Sequence, residues 1–277
     1  MTDKSFHTSN AFEYVLFDLD GTISESGPGI TRCAQYALHE MGVEEPDLVK
    51  LERFVGPPLN VSFRKYYGFS AEESVEAVRI FQERYDRIGV FENAIYPGVE
   101  DMLRELRNAG LHLAIASSKP KHLIPIVLGQ FGIADCFEVI AAPGFEQELT
   151  NKMNSDNKQF MVQMALEQLG VIPADDPQPL SGCSSSAGET TVPAGPDSTA
   201  PGNAEKEKDS RQKNAGDLRS RCAMVGDRFY DIRGAIANHV TAIGVTYGYG
   251  TREELEEAGA DIIADSAGEL CAILLGR

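Results

Sequence analysis

The stretch YVLFDLDGT, residues 14–22, sends a short apolar run straight into two carboxylates, Asp18 and Asp20, with Gly21 and Thr22 behind them. The apolar part has the composition of a buried strand. Acids at the end of such a strand call for an explanation. Along an extended chain positions i and i+2 project to the same side, so Asp18 and Asp20 can both face one ligand. Gly21 then permits a turn that a side chain would obstruct.

Further strands of the same short, apolar kind are expected over residues 112–117, 137–142, 221–226, 241–246 and 261–265, with 13–18 as the first. Amphipathic helical stretches lie between them. PGVEDMLRELRNAG puts Val99, Met102, Leu103 and Leu106 on one face and stops at Gly110, and FMVQMALEQLG, YDIRGAIANH, TREELEEAG and SAGELCAILL follow the same pattern. Strands alternating with helices predict a doubly wound α/β fold, a Rossmann-like parallel sheet covered on both sides.

Residues 29 to about 92 break the alternation: ITRCAQYALHEMG and SAEESVEAVRIFQERYDRIG are helical, PDLVKLERF and NVSFRKYYG are read the same way, and no strand stands out. The expected organisation is an α/β core from 1–27 and 94–277 with an all-helical cap domain, 28–93, inserted after the first strand. The stretch 173–220 is rich in Pro, Gly, Ser and charge and almost free of large apolar residues, so it is expected to be a disordered insertion that loops out from the core.

The 277 residues carry 42 acidic and 25 basic side chains, a net charge of −17. That balance repels nucleic acid and anionic membranes at long range, so neither is expected as a partner. No apolar run reaches the roughly 18 residues a bilayer demands, and the start, MTDKSFHTSN, has no signal-peptide pattern, so a cytoplasmic protein is expected. The five scattered cysteines show neither a C-x-x-C pair nor a nearby histidine cluster, which indicates reduced thiols and no zinc site. Nothing in the sequence specifies an oligomeric state. An anionic substrate would need local positive charge from a metal ion and a few placed Lys or Arg residues.

In an open parallel sheet, ligands bind outside the carboxyl ends of the strands. Asp18 and Asp20 stand at one such end, Asp227 and Asp231 of AMVGDRFYD follow another, and Ser117, Ser118 and Lys119 follow a third. Each alone is compatible with a helix cap or a turn. Together they bring acids, hydroxyls and a lysine to one edge, where acids from two strands suit a hard divalent cation such as Mg²⁺. Of the two carboxylates in the opening pair, one can attack phosphorus while the other exchanges protons with the leaving group and then with water.

The chain resembles the haloacid dehalogenase superfamily, specifically its phosphatases with a helical cap after the first strand. DLDGT at 18–22 resembles the first motif of that family, AIASS at 114–118 the second and GDRFYD at 226–231 the fourth. The resemblance implies a nucleophile at Asp18, which would form an aspartyl-phosphate, and a general acid/base at Asp20. Mg²⁺ would be held by the Asp18 carboxylate, the backbone carbonyl of Asp20 and Asp227. Ser117 would hydrogen-bond the transferring phosphoryl group, and Asp231 would orient the metal shell or the motif-three lysine. That lysine is assigned to Lys158, at the start of the helix before the fourth motif, with Lys152 as the competitor. Leu19, Gly21, Thr22 and Ser118 count as substrate-binding neighbours. On the cap side, Arg53 and Gly56, in or beside the FVGPPLN turn, are candidates for the non-reacting part of the substrate, as are Arg64 and Lys65.

The implied activity is hydrolysis of a small phosphomonoester of the phosphoglycolate or nucleoside monophosphate kind. VFENAIYPGVEDMLRELRNAG, SSKP and GVTYGYGTREELEEAGAD resemble the phosphoglycolate phosphatase and 5′-nucleotidase-like branch. A sugar-phosphate mutase would use the same core. A non-catalytic scaffold would have been indicated by loss of Asp18 or Asp20, and both are present.

Overall fold

The computed structural model describes residues 12–144, 157–174 and 218–277. Strand β1 (Tyr14–Phe17) is followed by a two-residue strand β2 (Ser24–Glu25) and helices α1 (Gly27–Glu40), α2 (Leu48–Leu51), α3 (Leu59–Tyr67) and α4 (Ala71–Arg87). Strand β3 (Ala94–Ile95) and helix α5 (Val99–Asn108) lead into β4 (His112–Ala116), α6 (Ile124–Phe131) and β5 (Val139–Ala141). The chain continues with α7 (Asn157–Gln168), β6 (Cys222–Gly226), α8 (Phe229–Ala237), β7 (Thr241–Val245), α9 (Arg252–Ala258), β8 (Ile262–Ala264) and α10 (Ala267–Leu275).

Six strands form one parallel sheet in the order β5-β4-β1-β6-β7-β8, with β1 near the centre. The period of two along each strand divides the core into two layers. Val15, Phe17, Leu113, Ile115 and Val225 face α5, α6 and α10, whereas Leu16, Ala114, Cys222 and Met224 face α7 and α8. The sheet buried on both faces explains why its strands read as continuous apolar runs. All six expected strands of this sheet are present.

Three local features were not expected from the sequence. Strands β2 and β3 pair antiparallel, Ser24 with Ile95 and Glu25 with Ala94, so the chain leaves for the helical segment and returns from it along adjacent paths. Two-residue strands carry too little pattern to be seen in sequence. Helix α6 begins with Pro125 in its first turn, where the missing N–H costs nothing. Its sequence, IPIVLGQF, is too uniformly apolar to show an amphipathic stripe. The segment PDLVKLERF is helical only over Leu48–Leu51 and then tightens to a 3₁₀ turn over Glu52–Phe54.

Helix α4 starts on a capping box in which Ser70 accepts from the Glu73 N–H and Glu73 accepts from the Ser70 N–H. It packs on α1 and α3, burying Phe81 and Tyr85 along one stripe. The four described cysteines, Cys33, Cys136, Cys222 and Cys271, are buried and free. Among the described residues no helix is long and apolar enough to cross a membrane. Most of the expected insertion, residues 175–217, lies outside the described residues, as does Lys152.

Candidate active site

Strand register sets the site. Phe17 pairs with Ile115 on one side and Val225 on the other, so the carboxyl ends of β4, β1 and β6 lie side by side. The first residues past the ends of these strands are Asp18, Ser117 and Asp227, all buried. The Asp18 N–H extends the sheet by donating to the Val225 carbonyl at 2.9 Å.

After Asp20 the chain turns sharply. Gly21 has φ of +91°, and a Cβ there would overlap the Asp227 carboxylate, so only glycine fits both the backbone and the space. Asp227 is held from two directions. The Tyr249 N–H donates to its Oδ2 at 2.8 Å, and the Thr22 hydroxyl lies 3.5 Å from its Oδ1. Asp231 sits in the first turn of α8, where its Oδ2 accepts from the Arg228 N–H at 3.0 Å.

Lys158, in the first turn of α7, places its ammonium 2.8 Å from Asp18 Oδ1 and 2.8 Å from Asp231 Oδ1, and donates to the Ala116 carbonyl at 3.1 Å. Burial works against its charge, but Asp18 and Asp231 outweigh that effect and hold it protonated well above neutrality. Asp18 is pushed up to about 6, chiefly by burial and secondarily by Asp231 and Asp20, against the opposing pull of Lys158. Asp227 is raised well above the usual carboxylate range by burial, then by repulsion from Asp231 and Asp18.

Carboxylate oxygens of Asp18, Asp227 and Asp231 lie within 4.8 Å of one another. Three buried acids against the Lys158 ammonium leave an excess of negative charge at the inner end of the site. Oxygen donors with that surplus fit a hard divalent cation. Asp231 thus joins Asp18 and Asp227 in the acidic cluster, while the Asp20 carboxylate is turned elsewhere: its Oδ1 and Oδ2 lie 3.1 and 3.2 Å from the Lys119 ammonium.

Lys119 also donates to the Tyr85 hydroxyl at 2.6 Å, and its ammonium sits 4.7 Å from the Tyr85 ring centroid. Its backbone N–H donates to the Ser117 hydroxyl at 3.2 Å. A residue of the helical segment is thereby tied, through one lysine, to the acid at the sheet edge. Arg228 makes a second such link. Its Nε pairs with Glu254 at 2.8 Å while another guanidinium nitrogen donates to the Val55 carbonyl at 3.2 Å.

Asp18, Asp20, Ser117, Ser118, Lys158, Asp231 and Gly56 all line one cavity of about 180 Å³ between the sheet edge and the helical segment. Leu19 does not reach it: its side chain is fully buried in the core, and its carbonyl accepts from Thr22, Ile23 and Ser24. Gly21 and Thr22 act against Asp227 rather than lining the cavity. Arg53 is also absent from the lining. Within the 3₁₀ turn Phe54 is buried toward the cavity, and its exposed neighbour Arg53 stacks 4.8 Å over Tyr66 and donates to the Lys50 carbonyl. Arg64 and Lys65 are likewise outside the lining. The sequence brings Lys119 to this edge without a role, and its patterns do not point to Tyr85, Arg228 or Tyr230 as site residues. SSKP directly behind a strand is a usable signal for Lys119. Nothing local distinguishes Tyr85.

Residues 15–174 match the haloacid dehalogenase-like hydrolase family, and residues 203–270 match a HAD-hydrolase-like family. The chain is 31% identical to a 5′-nucleotidase of Pseudomonas aeruginosa, over 87% of this chain and 86% of that protein. It is 25% identical to a phosphoglycolate phosphatase of Vibrio vulnificus, over 97% and 98% of the two chains. A crystal structure of a predicted phosphatase from Clostridium acetobutylicum superposes with a TM-score of 0.74 at 32% identity, covering 96% of this chain and 99% of that one. The chain therefore belongs to the haloacid dehalogenase-like hydrolases and is a phosphatase of that superfamily.

Proposed function

We propose that the protein is a Mg²⁺-dependent phosphatase that hydrolyses a small phosphomonoester, of the phosphoglycolate or nucleoside monophosphate kind, through an aspartyl-phosphate on Asp18. The observation that carries this is the convergence of Asp18, Asp231 and Lys158 at one end of the cavity, with Asp20 beside them and the buried Asp227 carboxylate in the same acidic cluster behind them.

An Asp18 carboxylate oxygen attacks phosphorus, and the bond from phosphorus to the ester oxygen breaks. Asp20 gives a proton to the departing oxygen. A water then attacks the aspartyl-phosphate as Asp20 takes its proton, releasing inorganic phosphate and regenerating Asp18. The Ser117 hydroxyl and the Lys158 ammonium would meet the charge on the phosphoryl oxygens. Asp18 and Asp227, with the Asp20 carbonyl, would hold Mg²⁺, with Asp231 orienting that shell and Lys158. When bound, the ion supplies positive charge that lets an anionic nucleophile approach an anionic phosphate. Residues 28–93 act as a cap whose two connections run through β2 and β3. Free buried cysteines suit a reducing compartment such as the cytoplasm.

The test is phosphate release from an aryl phosphate with Mg²⁺ and with EDTA, for the native protein and Asp18→Asn. Metal-dependent turnover that falls about 10⁴-fold or more in the variant is expected. Phosphoryl return to a second substrate hydroxyl without phosphate release would indicate a mutase, and no turnover in either condition would indicate a non-catalytic scaffold.

A further inference from the structure

The walls of the cavity away from Asp18 bear on which phosphomonoester enters. They are largely apolar and aromatic: Phe54 comes from the turn after α2, Phe81 and Tyr85 from α4, and Tyr230 from the start of α8. A volume near 180 Å³ exceeds the roughly 150 Å³ that accommodates a benzene ring.

The positive charges on this wall are already matched. Among the described lining residues the lysines and arginine are Lys119, Lys158 and Arg228. Lys119 faces Asp20, Lys158 faces Asp18 and Asp231, and Arg228 faces Glu254. His122 stands 4.0 Å from Asp86. A divalent cation in the acidic cluster would be matched in the same way, by carboxylates that lack enough positive charge of their own. A carboxylate or second phosphate on the leaving group would meet Asp86 and aromatic rings with no uncommitted cation among the described residues. The cost of desolvating that anion would go unrecovered.

What the wall does offer is uncharged polarity. Asn60, in the first turn of α3, and Gln82, one helical turn before Asp86 on α4, both line the cavity, and their side-chain amides make no hydrogen bond to another described residue. Two amides unpaired with any described residue, in the same lining as Phe54, Phe81, Tyr85 and Tyr230, suit a flat ring with carbonyl, amino or hydroxyl groups.

The geometry points to a leaving-group pocket that selects phosphomonoesters of uncharged, ring-bearing alcohols, with nucleoside 5′-monophosphates as the physiological class, over those carrying a second anionic group such as 2-phosphoglycolate. This rests on the phosphatase reading above and chooses between its two kinds of substrate.

The experiment compares kcat/KM with Mg²⁺ for a panel of ribonucleoside 5′-monophosphates, 2-phosphoglycolate and 3-phosphoglycerate, with an aryl phosphate as the reference. At least one nucleotide is expected to exceed both carboxylated substrates by about 10-fold or more. Asn60→Lys, which adds a cation on α3, a helix that carries no acidic side chain, should raise the ratio of 2-phosphoglycolate to nucleotide turnover by about 10-fold. Gln82→Arg combined with Asp86→Asn, which removes the carboxylate one turn away, serves the same purpose on α4 if Asn60→Lys does not fold. Phosphoglycolate turnover equal to or above that of every nucleotide overturns the inference while leaving the phosphatase intact, as does an unchanged ratio in a folded cation variant. Failure to hydrolyse any compound, the aryl phosphate included, overturns the phosphatase reading itself.

Discussion

The Tyr85 hydroxyl lies 2.6 Å from the Lys119 ammonium, which in turn lies 3.1 Å from Asp20. One buried cation thus joins the helical segment to the acid at the end of β1. Burial disfavours the Lys119 charge, yet Asp20 and Tyr85 more than compensate and hold it protonated far above neutral pH. Tyr85→Phe removes one acceptor from this ammonium but keeps the ring beneath it. We expect a loss of about 1–2 kcal/mol in urea unfolding. Tyr85→Ala, which also leaves a void next to Phe81, should cost about 3–5 kcal/mol.

Lys158 balances two buried acids at once, so its removal exposes their mutual repulsion. Lys158→Met is expected to destabilise the fold by about 3–5 kcal/mol at pH 7.5. The penalty should shrink at pH 5, because Asp18, raised to about 6, takes up a proton there and no longer needs the ammonium. Urea titrations of native and variant protein at both pH values check this. An equal loss at both would mean that packing, and not charge, is the role of Lys158.

Asp18 rises from the ordinary 3.8 to about 6 in the folded chain. Between those values the folded state binds more protons than the unfolded one, so the contribution of this group to stability falls as pH rises. Asp227 acts in the same direction. A divalent cation reverses this by favouring the ionised carboxylates, and it must displace their protons to bind. The increase in Tm on adding Mg²⁺ should therefore be larger at pH 7.5 than at pH 5. At a concentration about 100 times Kd the stabilisation is roughly 2.7 kcal/mol. Differential scanning fluorimetry across pH, with EDTA controls, measures it, and a larger increment at the lower pH would contradict the assignment of these acids.

Gly21 combines a positive φ with a backbone that runs against the Asp227 carboxylate. Gly21→Ala should lose about 2 kcal/mol or more, from the disfavoured backbone and the forced shift of Asp227. Metal-dependent turnover should fall further than stability alone explains, which an assay at a temperature well below the variant's Tm would reveal.

Much of the α/β architecture is visible in local pattern because it follows from local physics. A strand buried on both faces has to be apolar throughout, and acids placed after β1 and β6 come to the sheet edge wherever the strands are parallel and adjacent. The doubly wound fold and the gathering of Asp18, Ser117 and Asp227 are legible for that reason. Lys158 is legible more narrowly, as the lysine that opens the helix leading to β6.

The sequence could not indicate which residues of the helical segment face the acids. Arg53 and Arg64 look suited to gripping an anion, yet Arg53 is spent on a neighbouring carbonyl and an aromatic ring, and neither lines the cavity. Tyr85 looks like one more stripe residue on an amphipathic helix, and packing of α4 against α1 is what carries it to Lys119. Periodicity reports which face of a helix is buried, but it carries no information about what lies opposite. That depends on contacts between segments dozens of residues apart, and those contacts alone arranged the charge balance and the leaving-group wall of this site.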